Sequence, residues 1–123
     1  MVVRCYRDLI VWQKAMELAV EIYKLVKKLP KEELYTLSDQ MRRAVVSIPS
    51  NIAEGQARNS TKEFIQFLSI ARGSNAELET QLLLCVKIEY LADMDIKQSM
   101  QLIEEIRKML HALIKTLSRS TPN

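Results

Sequence analysis

Turn-forming residues are scarce in this chain, with two glycines and three prolines among 123 residues. So few breakers exclude a sheet-rich fold built on many hairpins. Cysteine is equally scarce: Cys5 and Cys85 stand far apart with no CxxC spacing, which excludes a metal framework. Histidine occurs once, at His111. No apolar run approaches the length of about 18 residues that a membrane-spanning helix needs. The first eight residues lack the apolar core of a signal peptide. These absences lead to the expectation of a reduced, cytoplasmic protein with no membrane partner and no cofactor or metal.

What is abundant is helix-forming. Leu, Ile, Met, Ala, Lys, Glu and Gln dominate, and 48% of the residues are hydrophobic, enough for one core in a single domain over residues 1–123. The formal charge is +3, and residues 1–30 alone carry six basic and three acidic side chains. The positive excess therefore belongs to the first helix and its leading segment, where Arg4, Arg7, Lys14, Lys24, Lys27 and Lys28 are the candidate nucleic-acid contacts. No aromatic pattern is interleaved with them, which argues against a dedicated single-strand groove.

Periodicity and end signals predict an all-α, antiparallel up-down four-helix bundle. The first helix spans about 9–29, with Asp8 as N-cap and Pro30 beyond its end. Apolar residues line two of its sides: Leu9, Trp12, Met16, Ala19, Tyr23 and Val26 on one, Val11, Ala15, Leu18, Ile22 and Leu25 on the other. A bundle helix needs only about a third of its surface apolar. Two such sides imply burial against the bundle and against a second subunit, with Trp12, Leu18, Ile22 and Leu25 as interface candidates. The second helix spans about 38–58 and carries Pro49 inside it, where a kink is expected. The third, about 61–91, opens on a capping box with Ser60 at N-cap and Glu63 three residues on, and would be roughly 45 Å long. Gly73 and Ser74 in its middle suggest close approach of the second helix. The fourth spans about 95–118, capped by Asp93 or Asp95.

The second helix also carries a polar stripe, Arg43, Ser47, Asn51, Glu54 and Arg58, beside its apolar face of Met41, Ala44, Val45, Ile48 and Ile52. Together Arg42, Arg43, Asn51, Glu54, Arg72, Glu77 and Glu79 read as a network of ion pairs and hydrogen bonds where helices two and three meet, or as an inter-subunit site. Its carboxylates have no histidine beside them, and no spacing identifies a catalytic residue. An RNA-cleaving reading would rest on Arg107 and His111, but only three residues separate them, fewer than the four to six of helical RNA-cleaving domains of the HEPN type.

The order Asp8-Leu9, Trp12-Gln13-Lys14-Ala15, Leu29-Pro30 and Gln40-Met41-Arg42-Arg43-Ala44 continues through Ser47-Ile48, Asn51-Ile52-Ala53-Glu54-Gly55 and Arg58. It ends in Phe67-Leu68, Ala71-Arg72-Gly73-Ser74 and Glu77-Leu78-Glu79. This pattern resembles the small bacterial four-helix-bundle proteins encoded in intervening sequences of large-subunit (23S) ribosomal RNA genes, a family with a historical ribosomal-protein label and no established biochemical role. The resemblance implies a ring-shaped homo-oligomer, most simply a pentamer. It also implies kinship in fold with the accessory variability determinant of diversity-generating retroelements, a basic pentameric bundle that associates with a reverse transcriptase and nucleic acid. The expected function is a non-enzymatic, homo-oligomeric scaffold or adaptor, with weak, salt-sensitive RNA or DNA binding or with protein partners alone.

Overall fold

A computed structural model of the chain describes residues 5–120. Four helices, and no strand among the described residues, make up the fold: α1 (Ile10–Leu25), α2 (Leu37–Gln56), α3 (Thr61–Lys87) and α4 (Asp93–Ser120). Short 3-10 turns flank α1 at Tyr6–Asp8 and Val26–Lys28, and a third, Lys31–Glu33, lies in the connection to α2. α1 packs on α2 and α4, and α3 packs on the same two, so α1 and α3 stand on one diagonal of the bundle and α2 and α4 on the other.

The helix ends follow local chemistry. α1 starts two residues after Asp8, which lies in the preceding 3-10 turn; the residue at its N-cap is Leu9, with no side-chain cap. It tightens into a 3-10 turn at Val26 because Pro30 forces Leu29 into the extended region, φ −74° and ψ 153°. Ser60 caps α3 as its sequence predicts, its Oγ accepting from the Glu63 amide at 3.2 Å. α3 stops at Lys87, four residues short of Leu91. Glu89 takes φ 66°, and the Tyr90 and Glu89 amides fold back onto the carbonyls of Cys85 and Val86 at 2.9 and 3.1 Å. That is a Schellman closure with Glu where glycine is usual. α4 begins at Asp93, and Asp95 reaches back to accept the Ala92 amide at 2.8 Å.

The core is built from the apolar stripe of α2 (Met41, Ala44, Val45, Ile48, Ile52) facing Leu68, Ala71, Leu78, Leu82 and Cys85 of α3, closed by Leu18 and Ile22 of α1 and Ile103, Ile106 and Leu110 of α4. Pro49 lies inside α2 and is buried. The close approach between α2 and α3 occurs at Gly55, not at Gly73. A Cβ on Gly55 would lie 2.6 Å from Phe67 Cβ, whereas one on Gly73 would meet nothing within 4 Å. Gly73 is on the outer surface of α3, so the approach expected at Gly73 and Ser74 is corrected at the glycine and found at the serine, whose hydroxyl meets that of Ser47 at 2.8 Å: glycine permits approach only where its missing Cβ faces a neighbour.

Candidate functional site

The seven polar residues expected to bridge helices two and three do not bridge them. Arg43 pairs with Asp39 one turn back, Nε to Oδ2 at 3.1 Å. Arg42 donates to the Leu34 carbonyl at 3.1 Å and stands 3.9 Å from Asp39. Glu54 pairs with Arg58 at 3.6 Å, and Glu77 accepts from Gln81 at 3.2 Å. Asn51 donates to the Ser47 carbonyl and hydroxyl at 2.8 and 2.9 Å. All but one of these contacts stay within a turn of one helix. A polar link between α2 and α3 is instead made by the Ser47–Ser74 hydroxyl pair at 2.8 Å, with Asn51 bound to it. The glycine and hydroxyl contacts bring α2 and α3 close together, and Arg58 of the polar stripe reaches α3 beyond the end of α2, its guanidinium lying 4.8 Å from the centre of the Phe67 ring.

Arg72 and Glu79, the remaining two, turn toward α4. With Asn75, Ala76, Arg107 and His111 they line a cleft of about 210 Å³ between α3 and α4. Arg107 is held by Glu104 one turn away. Asn75 is 2% exposed; its Nδ2 donates to the Ile103 carbonyl at 3.0 Å, and its Oδ1 has no partner. The burial of four polar residues, Ser38, Asn75, Gln81 and Ser99, was not anticipated from sequence. For Asn75 the signal was there: it occupies the helical stripe Ala71, Asn75, Leu78, Leu82, whose other members are core.

The interface candidates on α1 need the same correction. Leu18 and Ile22 are wholly buried and Leu25 nearly so, inside the monomer core and out of reach of a second copy. Trp12 is partly buried and meets Tyr6 edge-to-face at 5.3 Å. The outward side of α1 carries Met16, Val20 and Tyr23, with Val20 55% exposed. Periodicity defines two apolar sides; only the positions of α2 and α4 decide which of them is inside.

Of the basic candidates, Lys14 pairs with Glu105 of α4 at 3.1 Å and Lys28 with Asp95 at 3.0 Å. Arg7 lies over the Tyr6 ring at 5.9 Å. Lys24 and Lys27 have no ion pair among the described residues and border an apolar hollow of about 350 Å³ formed with Met16, Ala19, Val20 and Tyr23. Arg4 lies outside the described residues. Cys85 is fully buried, 3.9 Å from the Met41 sulfur, and burial pushes its thiol above the ordinary range. Among the described residues no cluster of His, Cys, Asp and Glu could hold a metal ion, and no helix is long and apolar enough to cross a membrane.

A family model described as 23S rRNA-intervening sequence protein matches residues 7–112, nearly the whole bundle. The chain belongs to that family. The intervening-sequence assignment agrees with a solved structure from Bacteroides thetaiotaomicron, described as a protein of unknown function from the S23 ribosomal protein family. It is 33% identical, covers 86% of this chain and 99% of its own, and superposes with a TM-score of 0.80. Comparison with the curated proteins finds no match. The match to the intervening-sequence family spans the Ser47–Ser74 link, the α3–α4 cleft and the outward side of α1.

Proposed function

We propose that this intervening-sequence protein is a non-enzymatic scaffold that works as a homo-oligomeric ring. One observation carries the reading: large apolar side chains remain exposed on two opposite sides of the bundle. On the α1–α2 side stand Met16, Val20, Tyr23 and Val46; on the α3–α4 side stand Leu83, Leu84 and Met94, the last 86% exposed. Tyr23 and Val46 line one hollow together, and Leu83 and Met94 another. Exposed apolar patches of this extent mark interaction surfaces. Two different patches on opposite sides suit a head-to-tail contact, which closes into a ring when the rotation between copies is right. Five copies is the ring size we propose, following what the resemblance of the sequence pattern to the intervening-sequence proteins implies. The up-down, antiparallel course fits the same picture. Contacts between α2 and α3 support it, since Ser47 meets Ser74 while Gly55 meets Phe67.

The test is the mass of the purified protein in solution by light scattering, over a range of concentrations and with and without nuclease. A discrete assembly that survives nuclease supports the ring; a stable single copy overturns it.

A nucleic-acid role is the second reading, favoured by Lys24 and Lys27, which border the α1 hollow without ion pairs among the described residues. It requires RNA or DNA affinity that falls steeply between low and physiological salt, with little sequence preference. Salt-insensitive binding, or none at low salt, removes it.

A further inference from the structure

We infer that the cleft between α3 and α4 is a binding site for a small phosphate ester that carries its own hydroxyl groups, such as a sugar phosphate. The inference is independent of the scaffold reading. Two guanidinium groups and an imidazole converge there, from Arg72, Arg107 and His111. Among the described residues Arg72 and His111 have no hydrogen-bond or ion-pair partner. Arg107 gives Nε and Nη2 to one oxygen of Glu104, which holds the guanidinium in place and leaves Nη1 uncommitted. A carboxylate would be satisfied by one guanidinium fork. A phosphate has three terminal acceptor oxygens and about two charges, which call for the whole set.

The buried asparagine makes the ligand more than an anion. Asn75 lines the cleft, is 2% exposed, and has its amide nitrogen fixed on the Ile103 carbonyl. The same bond identifies Oδ1 as the free atom, an acceptor shut away from solvent with nothing donating to it. Leaving such an atom unmet is unfavourable, and a slight opening of the cleft at Asn75 lets a ligand hydroxyl donate to it. Glu79 is a second acceptor on the same wall, without a partner among the described residues. Donors and acceptors thus divide into a cationic set for the phosphate and an acceptor set for hydroxyls. A cleft of about 210 Å³ limits the ligand to a small molecule.

His111 is the chain's only histidine, so its ring resonances report on the cleft without ambiguity. In a titration followed by NMR, ribose 5-phosphate is expected to shift them saturably. Arg72→Gln, on the exposed surface, should keep the fold by circular dichroism and weaken binding about tenfold, the loss of one charge-assisted contact. Methyl phosphate, which has the phosphate but no hydroxyl for Asn75, should bind more weakly than ribose 5-phosphate. No saturable shift with ribose 5-phosphate, or equal affinity in Arg72→Gln, overturns the site. Equal affinity for methyl phosphate overturns the role of Asn75 and with it the sugar phosphate.

Discussion

Tyr90 donates its phenolic hydrogen to Oε2 of Glu33 across 2.7 Å, joining the α3–α4 connection to the α1–α2 connection at one end of the bundle. The Thr36 hydroxyl donates to the other oxygen of Glu33 at 2.6 Å. These bonds, that from Thr36 first, hold the Glu33 carboxyl below its ordinary range, and the bond to Glu33 pushes the Tyr90 hydroxyl above its own. A depressed carboxylate stabilises the fold above its unfolded pKa and loses that effect as pH falls through the folded value. A raised phenol stabilises it below the ordinary tyrosine range and loses the effect as pH rises through the folded value. The melting temperature should therefore be flat around neutrality and fall on both sides. Tyr90→Phe should lower the plateau and remove the part of the alkaline fall that this contact causes. Thermal melts across pH check this; an unchanged plateau and alkaline limb in Tyr90→Phe would count against the link.

The two glycines should respond in opposite directions. Gly55→Ala places a methyl group 2.6 Å from Phe67 Cβ and 3.3 Å from the Phe64 carbonyl oxygen. Overpacking there should cost about 1–3 kcal/mol, more than the helix propensity it gains. Gly73→Ala meets open space and should stabilise by roughly 0.5–1 kcal/mol. Urea unfolding of both variants decides, and equal effects would contradict the packing of α2 on α3.

Glu89→Gly should stabilise the chain by about 1 kcal/mol, because a left-handed backbone is costly for any residue with a Cβ. Glu89, at φ 66°, is the one non-glycine residue with positive φ among those described. A loss of stability in chemical denaturation would show that the Glu89 side chain contributes more than its strain costs.

Ser47 and Ser74 should prove energetically coupled. Ser74→Ala removes the partner of a part-buried hydroxyl and should cost about 0.5–1.5 kcal/mol. A double-mutant cycle with Ser47→Ala should give a clear interaction energy. Additive effects would mean the 2.8 Å contact is incidental.

Val20→Glu and Ile22→Glu, two residues apart on α1, should fail in different ways. Val20 is 55% exposed, so its change should leave a folded protein of lower assembly mass. Ile22 is wholly buried, so a carboxylate there should unfold the monomer, at a cost of several kcal/mol. Circular dichroism with light scattering separates the two. Full assembly by folded Val20→Glu would move the contact off this side of α1.

Much of the fold was legible because it rests on short-range rules. The Ser60 cap, the stop before Pro30 and the core face of α2 from Met41 to Ile52 each depend on residues within a turn or two of one another. The end of α3 was not legible, since a glutamate at the left-handed position carries no turn signal. Of the candidate site, Arg72, Glu79, Arg107 and His111 were all visible as residues, yet nothing in their spacing placed them on one cleft wall with Asn75.

By itself, then, the amino-acid order determined four amphipathic helices, most of their ends and the apolar stripes they would bury, because propensity, capping and periodicity act along the chain. Tertiary structure alone decided that Leu18, Ile22 and Leu25 face inward, that Gly55 rather than Gly73 meets a neighbour, and that Arg42 and Arg43 pair with Asp39 while Arg72 lines the α3–α4 cleft instead of spanning α2 and α3. The reason is physical. A stripe defines a direction on one helix, but burial, close approach and ion pairing depend on the distance to a second helix, which only the packed bundle sets.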